Sequence, residues 1–187
     1  MTRKEQKEEK RKAILMTALT LFVERGYHET KITDIAEAVP MSTGLLFHYF
    51  ESKEELLKEL VTMGAQGTGS ARPTGDVPPD VHLTGFLGQL FSYAKEQPWV
   101  FYMFVLMGQV RRAGMPEEAR QIAASIDTFG MTAELIKAGQ KKGIFHKGDV
   151  LLMSKCFWAS VQGIMEEMAM DKDMKAPSPE WIVSMLK

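Results

Sequence analysis

Cysteine is nearly missing. Cys156 stands alone among 187 residues, which excludes an internal disulfide and any multi-cysteine metal site. The histidines His28, His48, His82 and His146 are scattered without an HxxxH pair, so no metal is expected. No apolar run approaches the roughly 20 residues that span a bilayer. The stretch from Ala13 to Val23 follows a basic start, but Glu5, Glu8 and Glu9 interrupt the positive charge and no small-x-small cleavage site follows. It reads as a helix ending at Glu24-Arg25-Gly26 and not as a signal peptide, and the chain is expected to be cytoplasmic, away from membranes. An excess of one charge sign is also lacking. The net charge is −1, and residues 1–60 hold ten basic against eleven acidic side chains. Any positive footprint for a nucleic acid must therefore come from arrangement, through Arg3, Lys4, Lys7, Lys10, Arg11 and Lys12, then Lys31 and Lys53. Catalytic signatures are missing as well: there is no nucleophile elbow, HExxH or dinucleotide fingerprint. Glu166 and Glu167 read as solvent-facing. The chain is not expected to be an enzyme or to need a cofactor.

What is present is a globular composition, 45% hydrophobic and 25% charged, with mass enough for a real core. Apolar periodicity puts a first helix over about Glu5 to Arg25, with Ile14, Ala18, Leu21 and Phe22 on its stripe. Thr33 is placed to cap a second helix, and Ser52 with Glu55 forms a capping box for a fourth, running to about Met63. Gly64 to Pro79 then holds four glycines and three prolines and almost nothing to bury, so it reads as a linker. The GTGS within it lacks the Lys-Ser/Thr ending of a phosphate loop. Beyond it, helices are expected over about His82 to Lys95, Pro98 to Arg112, Glu117 to Lys142 and Val150 to Met170, with a last one from Pro179 to Lys187. No strand is indicated. The expectation is an all-α chain divided into residues 1–63, a 64–80 linker, and a helical bundle over 81–187.

Within the first unit, Ser42 to Phe50 (STGLLFHYF) follows the short helical segment Thr33 to Val39 across a tight break at Val39-Pro40-Met41. Helix, turn and second helix is the arrangement that sets a helix into the DNA major groove. Ile35, Ala36, Ala38 and Val39 would face inward, and Leu46 and Phe50, four apart, would pack the second helix on the first. Thr43, Gly44, Leu45, Phe47 and His48 are left for the opposite face. Spacing alone equally allows an ordinary helical hairpin in a core. Thr33 to Leu57, TDIAEAVPMSTGLLFHYFESKEELL, closely resembles the N-terminal helix-turn-helix of the TetR family of bacterial transcriptional regulators. The likeness rests on the Ile-Ala pair, Ser42 with Gly44, the aromatic run ending in Phe50, and Ser52-Lys53. It departs at Pro40, where the family usually has glycine; a proline there should make the turn differ locally.

The resemblance implies a dimer on double-stranded operator DNA, with Thr33, Ser42, Tyr49 and Lys53 on the backbone. Thr43, Gly44, Leu45 and Phe47 would meet base edges, and His48 a phosphate. In the second unit, Trp99 to Met107 (WVFYMFVLM) is apolar all round and must be buried. Trp99, Met103 and Met107, with Trp158 and Met165 facing them, read either as plain core or as the adaptable wall of a pocket. The resemblance implies a pocket for a small apolar effector, with Tyr102 and Gln162 as polar contacts; Gln109, Arg111 and Arg112 share that potential. Cys156, Ala159, Ser160 and Gly163 put small residues at helical spacing, which suits close helix pairing. By resemblance this face, with Trp181, Ile182 and Met185, forms a homodimer interface. The function implied is a dimeric repressor released from a palindrome by its effector. Alternatives are an activator, or a helical adaptor that binds protein and no longer engages DNA.

Overall fold

The computed structural model describes residues 2–68 and 77–187. Among them ten helices follow one another: α1 Arg3–Arg25, α2 Ile32–Ala38, α3 Thr43–Phe47, α4 Lys53–Thr68, α5 Pro79–Glu96, α6 Trp99–Val110, α7 Glu117–Ala124, α8 Thr128–Lys141, α9 Val150–Met170 and α10 Pro179–Ser184. No strand occurs among the described residues, as an all-α chain requires.

Local chemistry sets most helix ends. Thr2 starts α1: its hydroxyl accepts from the Glu5 N–H, and the Glu5 carboxylate accepts from the Thr2 N–H. Asp149 starts α9 by accepting from the Leu151 and Leu152 N–H groups, both at 2.9 Å. Ser52 accepts from the Glu55 N–H at 3.1 Å as expected of an N-cap, but the Glu55 carboxylate reaches back to the N–H of Glu51 instead of Ser52.

Three expectations are corrected. The second helix starts at Ile32, one residue before Thr33, because Asp34 reaches back to the Lys31 N–H and closes that turn. A single helix from Glu117 to Lys142 is two, broken at residues 125–127. There the Asp127 carboxylate accepts from the Gly130 N–H, and the Ser125 hydroxyl donates to the Ile122 carbonyl. Short polar side chains offer the backbone partners that compete with helix continuation. Finally, α4 runs on to Thr68, so residues 64–68 of the expected linker are helical. The remainder of that glycine-rich stretch, residues 69–76, lies outside the described residues.

Two cores result. The first gathers Ile14, Leu19 and Phe22 of α1, Ile35 of α2, Leu46 and Phe50 from the α3 segment, and Leu56, Leu57 and Leu60 of α4. It also includes Met103, Leu106 and Val110 of α6, so the N-terminal unit is packed directly on the bundle. The second core joins Leu87 and Phe91 of α5, Phe101 of α6, Ile136 of α8, Phe157 and Met165 of α9, and Ile182 of α10. α9 is tied to its neighbours by donors four residues apart on one face. Ser154 donates to the Phe129 carbonyl at 2.8 Å, Trp158 Nε1 to Thr132 Oγ1 at 2.8 Å, and Gln162 Nε2 to the Phe104 carbonyl at 2.8 Å.

α8 closes with both hydrogen bonds of a Schellman turn. Gly143, at φ 69°, donates to the Gln140 carbonyl, and Ile144 donates to that of Gly139. The turn folds the buried Phe145 ring over Gly139, where a Cβ would lie 2.1 Å from Phe145 Cδ2. Gly139→Ala is therefore expected to lower the unfolding free energy by about 1–3 kcal/mol through overpacking, despite the better helix propensity of alanine. Urea denaturation followed by circular dichroism measures this, and an unchanged or higher midpoint would contradict the packing described.

Candidate nucleic-acid interface and effector cavity

α3 is five residues long, shorter than the nine-residue stretch marked from the pattern. Ser42 caps it by accepting from the Leu45 N–H at 3.2 Å. It ends at His48, whose N–H turns to the Leu45 carbonyl, while the Tyr49 and Phe50 N–H groups share the Leu46 carbonyl. Leu46 and Phe50 are buried at 0% and 1% exposure. The residues on either side of Leu46 are turned outward: Leu45 is 42% and Phe47 47% exposed. Ser42, Gly44 and His48 are also exposed, with Thr43 and Tyr49 half-buried. Thr33 lies exposed on α2, and so does Ala38, which the pattern puts on the inner face.

The turn between α2 and α3 keeps the course that glycine would take. Pro40 sits at φ 24°, and the Met41 N–H donates to the Ala36 carbonyl at 3.0 Å, the longer bond of a Schellman turn. The expected local departure thus takes the form of strain within a preserved turn. The proline ring prefers φ near −65° and has no N–H for the second bond, which Gly143 makes at the end of α8.

Behind the motif lies a clamp that the sequence pattern did not mark. The Lys53 ammonium donates to the carbonyls of Tyr27 and Thr30, each at 2.9 Å, and sits 4.3 Å from the centre of the Tyr27 ring. Two of its three N–H groups are thus engaged within the protein. The buried Thr30 hydroxyl donates to the Gly26 carbonyl at 2.8 Å, and the Tyr27 hydroxyl to Glu54 at 3.0 Å. Burial first, then the Glu54 carboxylate, pushes the Tyr27 hydroxyl well above its ordinary range. Arg11, counted toward the positive footprint, instead forms a two-pronged ion pair with Glu59 and lies 4.5 Å from the Phe50 ring centre. The one local signal for the clamp was Gly26, at φ 92°, which ends α1 and returns Tyr27 to the core; nothing near Arg11 signals its pairing with Glu59.

In the other half, a cavity of about 760 Å³ opens between α6, the α7–α8 break and α9. Of the expected pocket residues, Met103, Met107, Trp158 and Gln162 line it. Trp99, Tyr102 and Met165 do not. Trp99 packs edge-on to Tyr93 and donates to Gln97, the Tyr102 hydroxyl crosses to Glu24 on α1 at 3.1 Å, and Met165 is fully enclosed in the second core. Phe104, Ile126, Phe129 and Lys155 line the cavity although the pattern does not single them out, and Arg111 joins them. Its wall also includes Gly64 of α4, where a Cβ would stand 2.7 Å from Met107 Sδ and 3.0 Å from Met103 Sδ.

On the outer side of α9, Cys156, Ala159 and Gly163 are exposed, and Ser160 is half-buried. Leu152, Trp181 and Met185 add apolar surface at 61%, 73% and 39% exposure. Ile182, expected on the same surface, is instead turned into the chain's own second core because α10 docks against α5 and α9.

The architecture is a short helix-turn-helix unit packed on an all-helical bundle that holds a cavity. Residues 14–60 match the family described as bacterial regulatory proteins, tetR family. Over 52 residues the chain is 42% identical to the HTH-type transcriptional repressor KstR2 of Rhodococcus jostii, a match spanning 28% of this chain and only 26% of that relative. The TetR family transcriptional regulator PfmR from Thermus thermophilus is 25% identical, with a TM-score of 0.70 covering 92% of this chain and 93% of its own. AibR, solved with isovaleryl coenzyme A and operator DNA, is 19% identical with a TM-score of 0.71 over 94% of each chain, a likeness of fold. The match to the TetR family thus lies in residues 14–60, and the whole chain has the fold of solved TetR regulators.

Pro40→Gly is expected to raise the unfolding free energy by about 1 kcal/mol. It removes backbone strain of roughly 1–3 kcal/mol and restores the missing turn bond, offset in part by the greater freedom of glycine in the unfolded chain. Equilibrium urea unfolding checks it; a lowered midpoint would show that Pro40 is not strained.

Proposed function

We propose that the protein is a homodimeric transcriptional repressor that binds a palindromic operator and is released when a small ligand fills the α6–α9 cavity. The observation that carries this reading is the outward face of α3. Leu45 and Phe47 stand in solvent while Leu46 and Phe50 anchor the helix, an arrangement that a core hairpin would not leave exposed. In this reading Thr43, Gly44, Leu45 and Phe47 meet base edges, the two apolar side chains suiting thymine methyl groups. Thr33, Ser42, His48 and Tyr49 meet phosphate, and Lys53 adds its remaining N–H while bracing the motif from behind.

Two copies would pair through the outer side of α9 and the exposed Trp181 and Met185, setting their α3 helices for half-sites about 34–36 Å apart or a related spacing. The repressor sense follows the named function of KstR2, and the expectation that one chain of this fold takes both a small ligand and an operator follows AibR. Ligand release would act through α4. A molecule in the cavity presses on Met103, Met107 and Gly64, displaces α4, and favours a subunit arrangement that no longer fits the groove.

Fluorescence anisotropy with a labelled duplex from the DNA flanking its own gene tests this. The protein should bind at low salt, and Phe47→Ala should weaken binding at least about tenfold without changing helicity or oligomeric state. No duplex affinity at low salt, or full affinity in Phe47→Ala, would overturn the reading.

A further inference from the structure

We infer that the α6–α9 cavity selects an anionic amphiphile, with an apolar body among its methionine and aromatic side chains and a carboxylate-like head at Arg111 and Lys155. The inference rests on this cavity being the effector site proposed above and goes further by assigning the ligand's charge.

The inner wall supplies Met103, Phe104, Phe129 and Trp158, which favour an apolar body of variable shape. Trp158 is held in place by its bond to Thr132, so the wall is already formed without a ligand. The charged groups at the rim are not balanced. Arg111 follows the last turn of α6, its guanidinium 5.2 Å from the centre of the Phe129 ring. Lys155 stands on α9, one helical turn before Trp158 and Ala159. Neither cation has a carboxylate partner among the described residues. Asp127, the acid in the lining, is already held by the Gly130 N–H as the cap of α8.

A neutral ligand would leave both cations in water with nothing gained, and a cationic one would meet two like charges. An anion would gain both partners, and Arg111 is held ready by the ring beneath it. The same charges give a physical reason for an open rim: the head remains near solvent while the body is enclosed.

Isothermal titration calorimetry of the full chain with decanoate, 1-decanol and decyltrimethylammonium, each below its micelle concentration, tests this with one chain length and three charges. Decanoate should bind at least about tenfold tighter than 1-decanol, and decyltrimethylammonium most weakly. Each methylene added between octanoate and decanoate should tighten binding by about fourfold. Arg111→Gln and Lys155→Gln, both at exposed positions, should each weaken decanoate roughly three- to tenfold and leave 1-decanol unchanged. Binding of 1-decanol as tight as decanoate, indifference of decanoate to both substitutions, or binding by none of the three probes would overturn the charge assignment. Duplex anisotropy in the same solutions separates this from the effector reading. Tight decanoate binding that leaves duplex affinity unchanged would count against ligand release alone. Release by 1-decanol at matched occupancy, with no preference for decanoate, would count against the charge assignment alone.

Discussion

The contact between Gly64 and the sulfur atoms of Met103 and Met107 is the constraint on which the molecule turns. It brings α4 against α6 so closely that a single added carbon would have to displace a methionine. The same α4 supplies Leu56, Leu57 and Leu60 to the helix-turn-helix core, and its first residue, Lys53, clamps the α1–α2 connection. One helix is therefore both the spine of the N-terminal unit and a wall of the cavity. The free volume beside this contact is the cavity itself, which both methionines line, so a molecule filling it would remove the space into which they can relax and pass the displacement to α4. α7 adds a second link: Ala123 and Ala124 line the cavity, while Glu118 pairs with Lys58 of α4.

α9 divides its labour by face. Ser154, Trp158 and Gln162 turn donors inward at a spacing of four and fix the helix against α6 and α8. Its outer side, with Leu152, Cys156 and Gly163, carries small and apolar groups with no covering in a single copy. Basic residues show the same economy in the N-terminal unit. Arg11 and much of Lys53 are engaged in internal contacts, which takes two of the eight cations counted toward the footprint of a chain of near-neutral charge. Affinity for a duplex would then depend on hydroxyls, shape and pairing of two copies more than on bulk charge.

Much of this was legible in the residues. Asp149 and Ser52 announced helix starts, Gly26 and Gly143 announced ends, and the spacing of Leu46 and Phe50 gave the inner side of α3, because each is a local effect within one turn of chain. What stayed hidden depended on distant partners. Nothing near Gly64 says that α4 continues, since a glycine there is favourable only once two methionines of α6 lie against it. The break at Asp127 lies in a run with helical periodicity, and only the competing bond to Gly130 reveals it. In an all-apolar helix such as α6, periodicity cannot say which side faces which neighbour. Tyr102 thus turned to α1, Trp99 to Tyr93, and only Met103 and Met107 of the named set to the cavity.

The central claim is that the cavity and the helix-turn-helix are joined through α4, and linkage requires that influence to run both ways. Hydrogen–deuterium exchange, with and without a bound duplex from the DNA flanking its gene, measures it directly. The account predicts that duplex binding changes protection in residues 60–68 and in the cavity walls at 103–108 and 123–129, away from the duplex itself. Changes confined to residues 2–53 would contradict it.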